Sequence, residues 1–242
     1  MTSSAALRVL LLDLDNTVYA YAPCHRAGLM AAQVAASRLD PIWCDPRRFE
    51  SDYLAARAAV KAQIGRQAAA HCRLLYFKAM VERHSGRSRL SDAKELHAAY
   101  WRDYFAAMRL DEECAETLGA ARDQGLGIVW VTSFTTERQI LKLEHLGLSA
   151  AADFLLTTEE AGVEKPSGHL VDLALRRLGA EPEGAWVIGD SLSEDLMMAE
   201  ARRLPFVWFR RDGQEEEPAG RALYTVTSWK ELGEILHDAR NA

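Results

Sequence analysis

Residues 7–12 (Leu-Arg-Val-Leu-Leu-Leu) form a short, almost wholly apolar run that ends directly in Asp13-Leu14-Asp15-Asn16-Thr17. A run of this length and composition suits a strand buried on both faces of a parallel sheet. Side chains two apart start on the same side of a strand, so Asp13 and Asp15 leave its end as a pair. Two like charges that close repel by roughly 4 kcal/mol at an effective dielectric near 20, unless a cation or a proton intervenes. Such a strand end asks for a metal ion. Read alone, Asp15 and Asn16 are equally good turn formers, so the rest of the chain has to decide.

From residue 111 the pattern is helix then strand. A helix over 111–124 stops at Gly125, and an apolar strand at 127–131 ends in Thr132-Ser133. Thr136 and Gln139 fit a capping box for a helix reaching Gly147. A strand at 153–157 precedes a helix opened by Ser167 and running to Leu178. The strand at 185–190 ends in a carboxylate, Asp190, and Ser191 with Glu194 fits another capping box for a helix to about Arg203. A strand at 206–209, an acidic turn-rich stretch from Asp212 to Gly220, a short strand near 223–227 and a helix capped by Ser228 and Glu231 complete the chain. This alternation predicts an α/β fold, a Rossmann-like three-layer core around a parallel sheet. Ligands of such sheets bind beyond the carboxyl ends of the strands, where Asp13, Asp15, Thr132, Ser133 and Asp190 all fall.

Between the first strand and that core no convincing strand is found. Helical periodicity covers 25–38, a second segment carrying Phe49, Tyr53, Ala56, Val60 and Ile64, a third over 66–84 with Cys72, Leu75, Tyr76, Ala79 and Met80 on one face, and a fourth over 91–107. Breaks fall at Asp40-Pro41, Asp45-Pro46, Gly65 and Ser85-Gly86. The expected organisation is a core of residues 1–17 and 109–242 with a four-helix cap domain, 18–108, inserted after the first strand.

A balance of 35 acidic to 29 basic residues, net charge −6, argues against a nucleic-acid polymer as partner. Four cysteines, Cys24, Cys44, Cys72 and Cys114, form no CxxC pair and fit neither a zinc site nor a disulfide scaffold. No signal-peptide pattern and no apolar run near the roughly 18 residues of a membrane span is present. A cytoplasmic chain with no membrane partner is the expectation.

Four separated pieces resemble the motifs of the haloacid dehalogenase superfamily. Asp13 to Thr17 is similar to the first motif (DxDxT), Thr132 to the second and Lys165-Pro166 to the third. Gly189-Asp190-Ser191, with Asp195 beyond it, is similar to the fourth. Thr136-Glu137-Arg138-Gln139 and Gly162-Val163-Glu164-Lys165-Pro166 resemble the subgroup whose helical cap follows the first strand. The resemblance implies a phosphatase in which Asp13 attacks phosphorus to form an aspartyl-phosphate and Asp15 acts as acid and then base. It implies Mg²⁺ held by Asp13, the backbone carbonyl of Asp15 and Asp190, with Asp195 and Thr17 behind these ligands. Glu194 is the alternative to Asp195. Thr132, Ser133 and Lys165 would bind the phosphoryl group of a small phosphorylated metabolite. Asp15-Asn16-Thr17-Val18-Tyr19 resembles the start of nucleoside 5′-monophosphate phosphatases, and sugar phosphates stay open. A phosphomutase, a 2-haloacid dehalogenase and a non-catalytic binding protein are the alternatives; Asp15 speaks against the dehalogenase, which needs no leaving-group acid. Phe134 departs from the small residue usual after the second motif. It narrows the pocket, stacks on a leaving group or packs beneath the cap. His25, Arg26, Arg66 and His71 are candidate leaving-group contacts in the cap.

Overall fold

The computed structural model describes residues 6–211 and 221–241; the acidic stretch from Asp212 to Gly220 lies outside them. Six strands form one parallel sheet in the order β3-β2-β1-β4-β5-β6. They are β1 (Val9–Leu12), β2 (Gly127–Thr132), β3 (Phe154–Thr157), β4 (Ala185–Gly189), β5 (Phe206–Phe209) and β6 (Tyr224–Val226). The chain thus builds outward in one direction to β3, then returns to place β4 on the other side of β1. The crevice of a doubly wound sheet opens at this reversal, here between the ends of β1 and β4. Residues of alternate parity in β1 are buried on opposite faces. Val9 and Leu11 join Val129, Val131, Leu156, Val187 and Phe206 in a core closed by Leu170, Val171, Ala174 and Leu175. Those last four belong to α8 (His169–Leu178). Leu10 and Leu12 are equally inaccessible, and α5 (Cys114–Asp123) packs with α10 (Trp229–Asn241). The α/β, Rossmann-like reading of the sequence holds, with a helical insertion between β1 and β2.

The chain divides into two compact units, Met1–Ala20 with Arg109–Ala242, and Tyr21–Met108. The second contains α1 (Tyr21–Leu39), α2 (Pro46–Ile64), α3 (Arg73–Ser85) and α4 (Leu90–Ala107). Asp40 and Asp45 each accept a backbone N–H at the start of the following segment, so both Asp-Pro breaks act as N-caps. Helices α1 and α4 approach closely: a Cβ at Gly28 would lie 2.8 Å from Tyr100. The third helix begins later than its periodicity predicts. Ala68–His71 form a separate 3₁₀ turn, and the buried face is Tyr76, Phe77, Met80 and Val81, without Leu75 or Ala79.

Two helix starts in the core also differ from their sequence readings. The Thr136–Gln139 capping box does not form. Thr135 is the N-cap of α6 (Thr136–His145) without a side-chain bond. The Thr136 hydroxyl instead pairs with that of Thr157 at 2.6 Å, leaving Gln139 to turn inward. After β4, one π-helical turn, Leu192–Leu196, precedes the short α9 (Met197–Glu200), where a longer α-helix is expected. Ser191 Oγ accepts the Glu194 N–H at 3.2 Å, but the Ser191 N–H donates to Asp195 Oδ2 at 3.1 Å rather than to Glu194. The extra residue in the turn lets Asp195 point inward, a common use of π-bulges at sites. Between β3 and α8, Thr158–Ala161 make a single turn, α7, in which the Glu160 N–H donates to Thr157 Oγ1 at 3.2 Å.

Candidate active site

Register fixes the level of the site. Leu12 pairs with both Trp130 and Ile188, so Asp13, Thr132 and Asp190 sit one or two residues beyond aligned positions of three neighbouring strands. One carboxylate oxygen each from Asp13, Asp190 and Asp195 lie within 4.8 Å of one another. Lys165 ties two of them together. Its Nζ donates to Asp13 Oδ1 at 2.5 Å and to Asp195 Oδ1 at 2.6 Å, and the lysine side chain is 1% exposed. Thr17 Oγ1 donates to Asp13 Oδ2 at 3.1 Å, and Asn16 Nδ2 donates to Asp190 Oδ2 at 2.6 Å. The Asn16 backbone is left-handed at φ 66°, a conformation that asparagine tolerates. Glycine at 189 is required by contact, since a Cβ there would lie 2.3 Å from Asp195 Oδ2.

Three carboxylates and one ammonium leave two negative charges in excess. Burial pushes the Asp13 carboxyl up to about 7; Lys165 opposes this, and Asp195 and Asp15 reinforce it. Asp195 is raised by burial against the pull of Lys165. Burial also works against the Lys165 charge, yet Asp13 and Asp195 outweigh it and hold the ammonium above its usual range. A cluster of hard oxygen donors short of positive charge fits a divalent cation.

Asp15 is placed differently. Its carboxylate turns to Lys142, whose Nζ donates at 2.5 and 2.7 Å, to Gln139 Nε2 at 3.2 Å and to the Tyr19 hydroxyl. Burial works against the charged form, but Lys142, Tyr19 and Gln139 hold the carboxyl below its usual value. Gln139 Nε2 also donates to Thr132 Oγ1 at 2.5 Å and to the Ser133 carbonyl at 2.8 Å. The Thr132 hydroxyl accepts that bond and donates only a long one, to the Ser133 carbonyl at 3.4 Å.

A family model for haloacid dehalogenase-like hydrolases matches residues 7–201. The chain belongs to the haloacid dehalogenase-like hydrolases. It is 42% identical over 209 residues to a ribulose-1,5-bisphosphate 5-phosphatase of Halopiger xanaduensis, covering 86% of each chain. A phosphoserine phosphatase of Thermus thermophilus is 26% identical, covering 93% of this chain and 98% of its own. Among solved structures, a HAD phosphatase from Thermococcus onnurineus superposes with a TM-score of 0.74 at 25% identity, over 95% of this chain and 98% of that one.

Within this hydrolase the structure brings Asp13, Asp195, Lys165 and Thr17 into one hydrogen-bonded cluster with Asp190 beside it, and Asp15 and Thr132 into a second around Gln139. Glu194 is partly exposed within the π-turn, whereas Asp195 is 1% exposed. Phe134 is buried at φ 112°, a backbone region that disfavours side chains. Its N–H donates to Thr158 Oγ1 at 3.1 Å, and its ring centroid lies 5.4 Å from the Lys142 ammonium. Of the cap residues singled out, Arg26 and Arg66 are exposed, His71 offers its carbonyl to Arg73, and His25 is half-buried among aromatic rings.

Four contributors escaped sequence reasoning: Lys142, Gln139, Tyr19 and Arg211. Arg211, beyond β5, donates to the carbonyls of Asn16 at 2.7 Å and Thr17 at 2.9 Å and pairs with Asp111, fixing the first-motif loop from behind. For Gln139 and Lys142 a signal existed. Three residues apart, they share the face of α6 that carries Leu143 and Leu146, and polar groups on a buried apolar face need partners.

Proposed function

We propose that this hydrolase is a Mg²⁺-dependent phosphatase that removes a phosphoryl group from a small phosphorylated metabolite through an aspartyl-phosphate on Asp13. The observation that carries this reading is Asp13 lodged between the Lys165 ammonium and the Asp190 and Asp195 carboxylates. Asp13 Oδ2 takes a hydrogen bond from Thr17, which orients the carboxylate that attacks phosphorus. As that bond forms, the ester P–O bond breaks and the leaving oxygen takes a proton from Asp15, whose acid form the negative charge of the bound phosphoryl group favours against the pull of Lys142. Asp15 then accepts a proton from water, whose oxygen attacks phosphorus, frees phosphate and restores Asp13. Lys165 and Thr132 bind phosphoryl oxygens, with Ser133 beside them. Asp13, Asp190 and the carbonyl of Asp15 would hold Mg²⁺, while Asp195 keeps Lys165 in place. When bound, the ion neutralises charge on the phosphoryl oxygens as a Lewis acid.

Similarity to the ribulose-1,5-bisphosphate 5-phosphatase over most of both chains puts phosphorylated sugars first among substrates. Nucleoside 5′-monophosphates, suggested by Asp15 to Tyr19, come second. The test is phosphate release across a panel of sugar phosphates, nucleotides and phosphorylated acids, with Mg²⁺ and with EDTA. Release that EDTA silences, that Mg²⁺ restores and that Asp13→Asn abolishes is the expected result. Near wild-type turnover by Asp13→Asn removes Asp13 as nucleophile, and activity indifferent to chelation removes the metal. Conversion of a sugar phosphate without free phosphate makes the protein a mutase instead.

A further inference from the structure

Arg211 follows β5 and belongs to none of the four motifs, yet its guanidinium reaches the loop that carries the first of them. Its Nε donates to the Asn16 carbonyl at 2.7 Å, and Nη2 donates to the Thr17 carbonyl at 2.9 Å and pairs with the Asp111 carboxylate. The guanidinium carbon lies 4.9 Å from the centroid of the Phe209 ring, and the side chain is 19% exposed. Asp111 is held against the same loop, its N–H donating to the Val18 carbonyl at 3.0 Å. A guanidinium offers its donors in a rigid planar fork, so gripping two successive carbonyls fixes their direction as well as their place.

Two features of Asn16 carry that grip toward the cation site. Its backbone sits at φ 66°, in the left-handed region that a non-glycine residue keeps only when its surroundings hold it there. Rotation about that bond relates the Asn16–Thr17 peptide, held by Arg211, to the Asp15–Asn16 peptide, whose carbonyl is a proposed Mg²⁺ ligand. The Asn16 side chain leads to another proposed ligand, since Nδ2 donates to Asp190 Oδ2 at 2.6 Å. Backbone and side chain of one residue thus connect Arg211 to two different ligands.

We infer that Arg211 is a positioning residue for the divalent cation, acting through Asn16 to hold the Asp15 carbonyl and the Asp190 carboxylate in reach of one ion. That role presupposes the Mg²⁺ site proposed above. Its sign is opposite to that of charge alone. A guanidinium repels a cation, so if its charge were what mattered, removing it would tighten binding; if its grip matters, removing it loosens binding. The paired Asp111 carboxylate cancels most of the charge at a distance, which leaves the grip as the larger effect.

The test is direct binding of Mn²⁺ to the full chain, followed by EPR in the absence of substrate, so that no turnover is read. Wild type should bind a single ion. Arg211→Gln should raise Kd about tenfold or more, the scale on which groups that orient metal ligands act, with a single ion still bound per chain. Arg211→Lys keeps the charge but not the fork and should fall between. In an Asn16→Ala background, Arg211→Gln should raise Kd much less than it does in wild type, because both act along one path. A merely structural defect lowers the number of ions bound per chain and leaves Kd unchanged, which overturns the role. So does an Arg211→Gln Kd at or below the wild-type value, or an equal rise in the Asn16→Ala background. If Arg211→Gln fails to fold, Arg211→Lys decides: a raised Kd supports the role and a wild-type Kd overturns it. Wild type that binds no Mn²⁺ removes the metal site itself and the role with it, whereas wild-type binding that Arg211→Gln leaves unchanged removes the role alone.

Discussion

Lys142 gives the sharpest test of how the site is assembled. Its ammonium is 3% exposed and paired with an Asp15 carboxylate that is 29% exposed. Lys142→Met keeps much of the side-chain volume and removes the charge. Breaking a buried pair by deleting one partner costs about 3–5 kcal/mol, because the other charge stays behind unpaired. Asp15 retains the Tyr19 and Gln139 hydrogen bonds and some solvent, so the lower end applies, about 3 kcal/mol. For a chain of this size that is a fall in Tm of roughly 6–12 °C. Catalysis should suffer as well, since a positioned acid–base group contributes about 10²–10⁴ to the rate. Asp15 survives in the variant but is held by two bonds fewer. A loss of about 10–100-fold in kcat/KM is therefore expected, less than for Asp15→Asn. The decisive assay is the double-mutant cycle. If Lys142 acts through Asp15, adding Lys142→Met to Asp15→Asn changes kcat/KM little, giving a coupling within the roughly 0.5–3 kcal/mol seen for contacting groups. The same fold loss in both backgrounds, or a single variant with wild-type Tm, would refute the reasoning.

Further predictions follow from individual contacts. Gly189→Ala forces a Cβ to within 2.3 Å of the Asp195 carboxylate; displacement of that carboxylate from Lys165 should cost about 2–4 kcal/mol by denaturant titration and abolish phosphate release. Asn16→Ala removes the 2.6 Å bond to Asp190; it should weaken Mg²⁺ activation about 10-fold or more, in line with the loss of groups that orient metal ligands, and an unchanged Mg²⁺ dependence would exclude Asp190 as a ligand. His25 has its folded value lowered to about 4 from 6.5. The unfolded chain therefore binds the extra proton first, and stability is lost as pH falls from 6.5 to 4, by about 2–3 kcal/mol once residual solvent contact is allowed for. The pH slope of the denaturation midpoint should be shallower in His25→Gln over that window.

The sequence made the sheet legible because its strands are short, apolar and bounded by glycine or by polar residues at their carboxyl ends. Asp13, Thr132 and Asp190 were legible for the same reason, since a polar residue terminating a buried strand has few uses other than chemistry. The helix starts were less so. Thr136 and Gln139 have the spacing of a capping box, yet Thr136 finds Thr157 twenty-one residues away and Gln139 finds Asp15 across 124 residues. Local spacing could not foresee partners that only the closed sheet supplies. The π-turn after β4 is a similar case. Nothing in Ser191–Leu196 disfavours an ordinary helix, and the inward turn of Asp195 depends on Lys165, thirty residues earlier, and on the absence of a side chain at Gly189. In the helical unit the periodicity places Tyr53 and Tyr76 on apolar helix faces, and both residues are buried. What periodicity cannot distinguish is a phenol whose hydroxyl is satisfied from one whose hydroxyl is not. Tyr76 donates to the Ala70 carbonyl and Tyr53 donates to nothing in the described structure, although the two sit on the same kind of apolar stripe. That difference resides in tertiary contacts, which helical spacing does not encode.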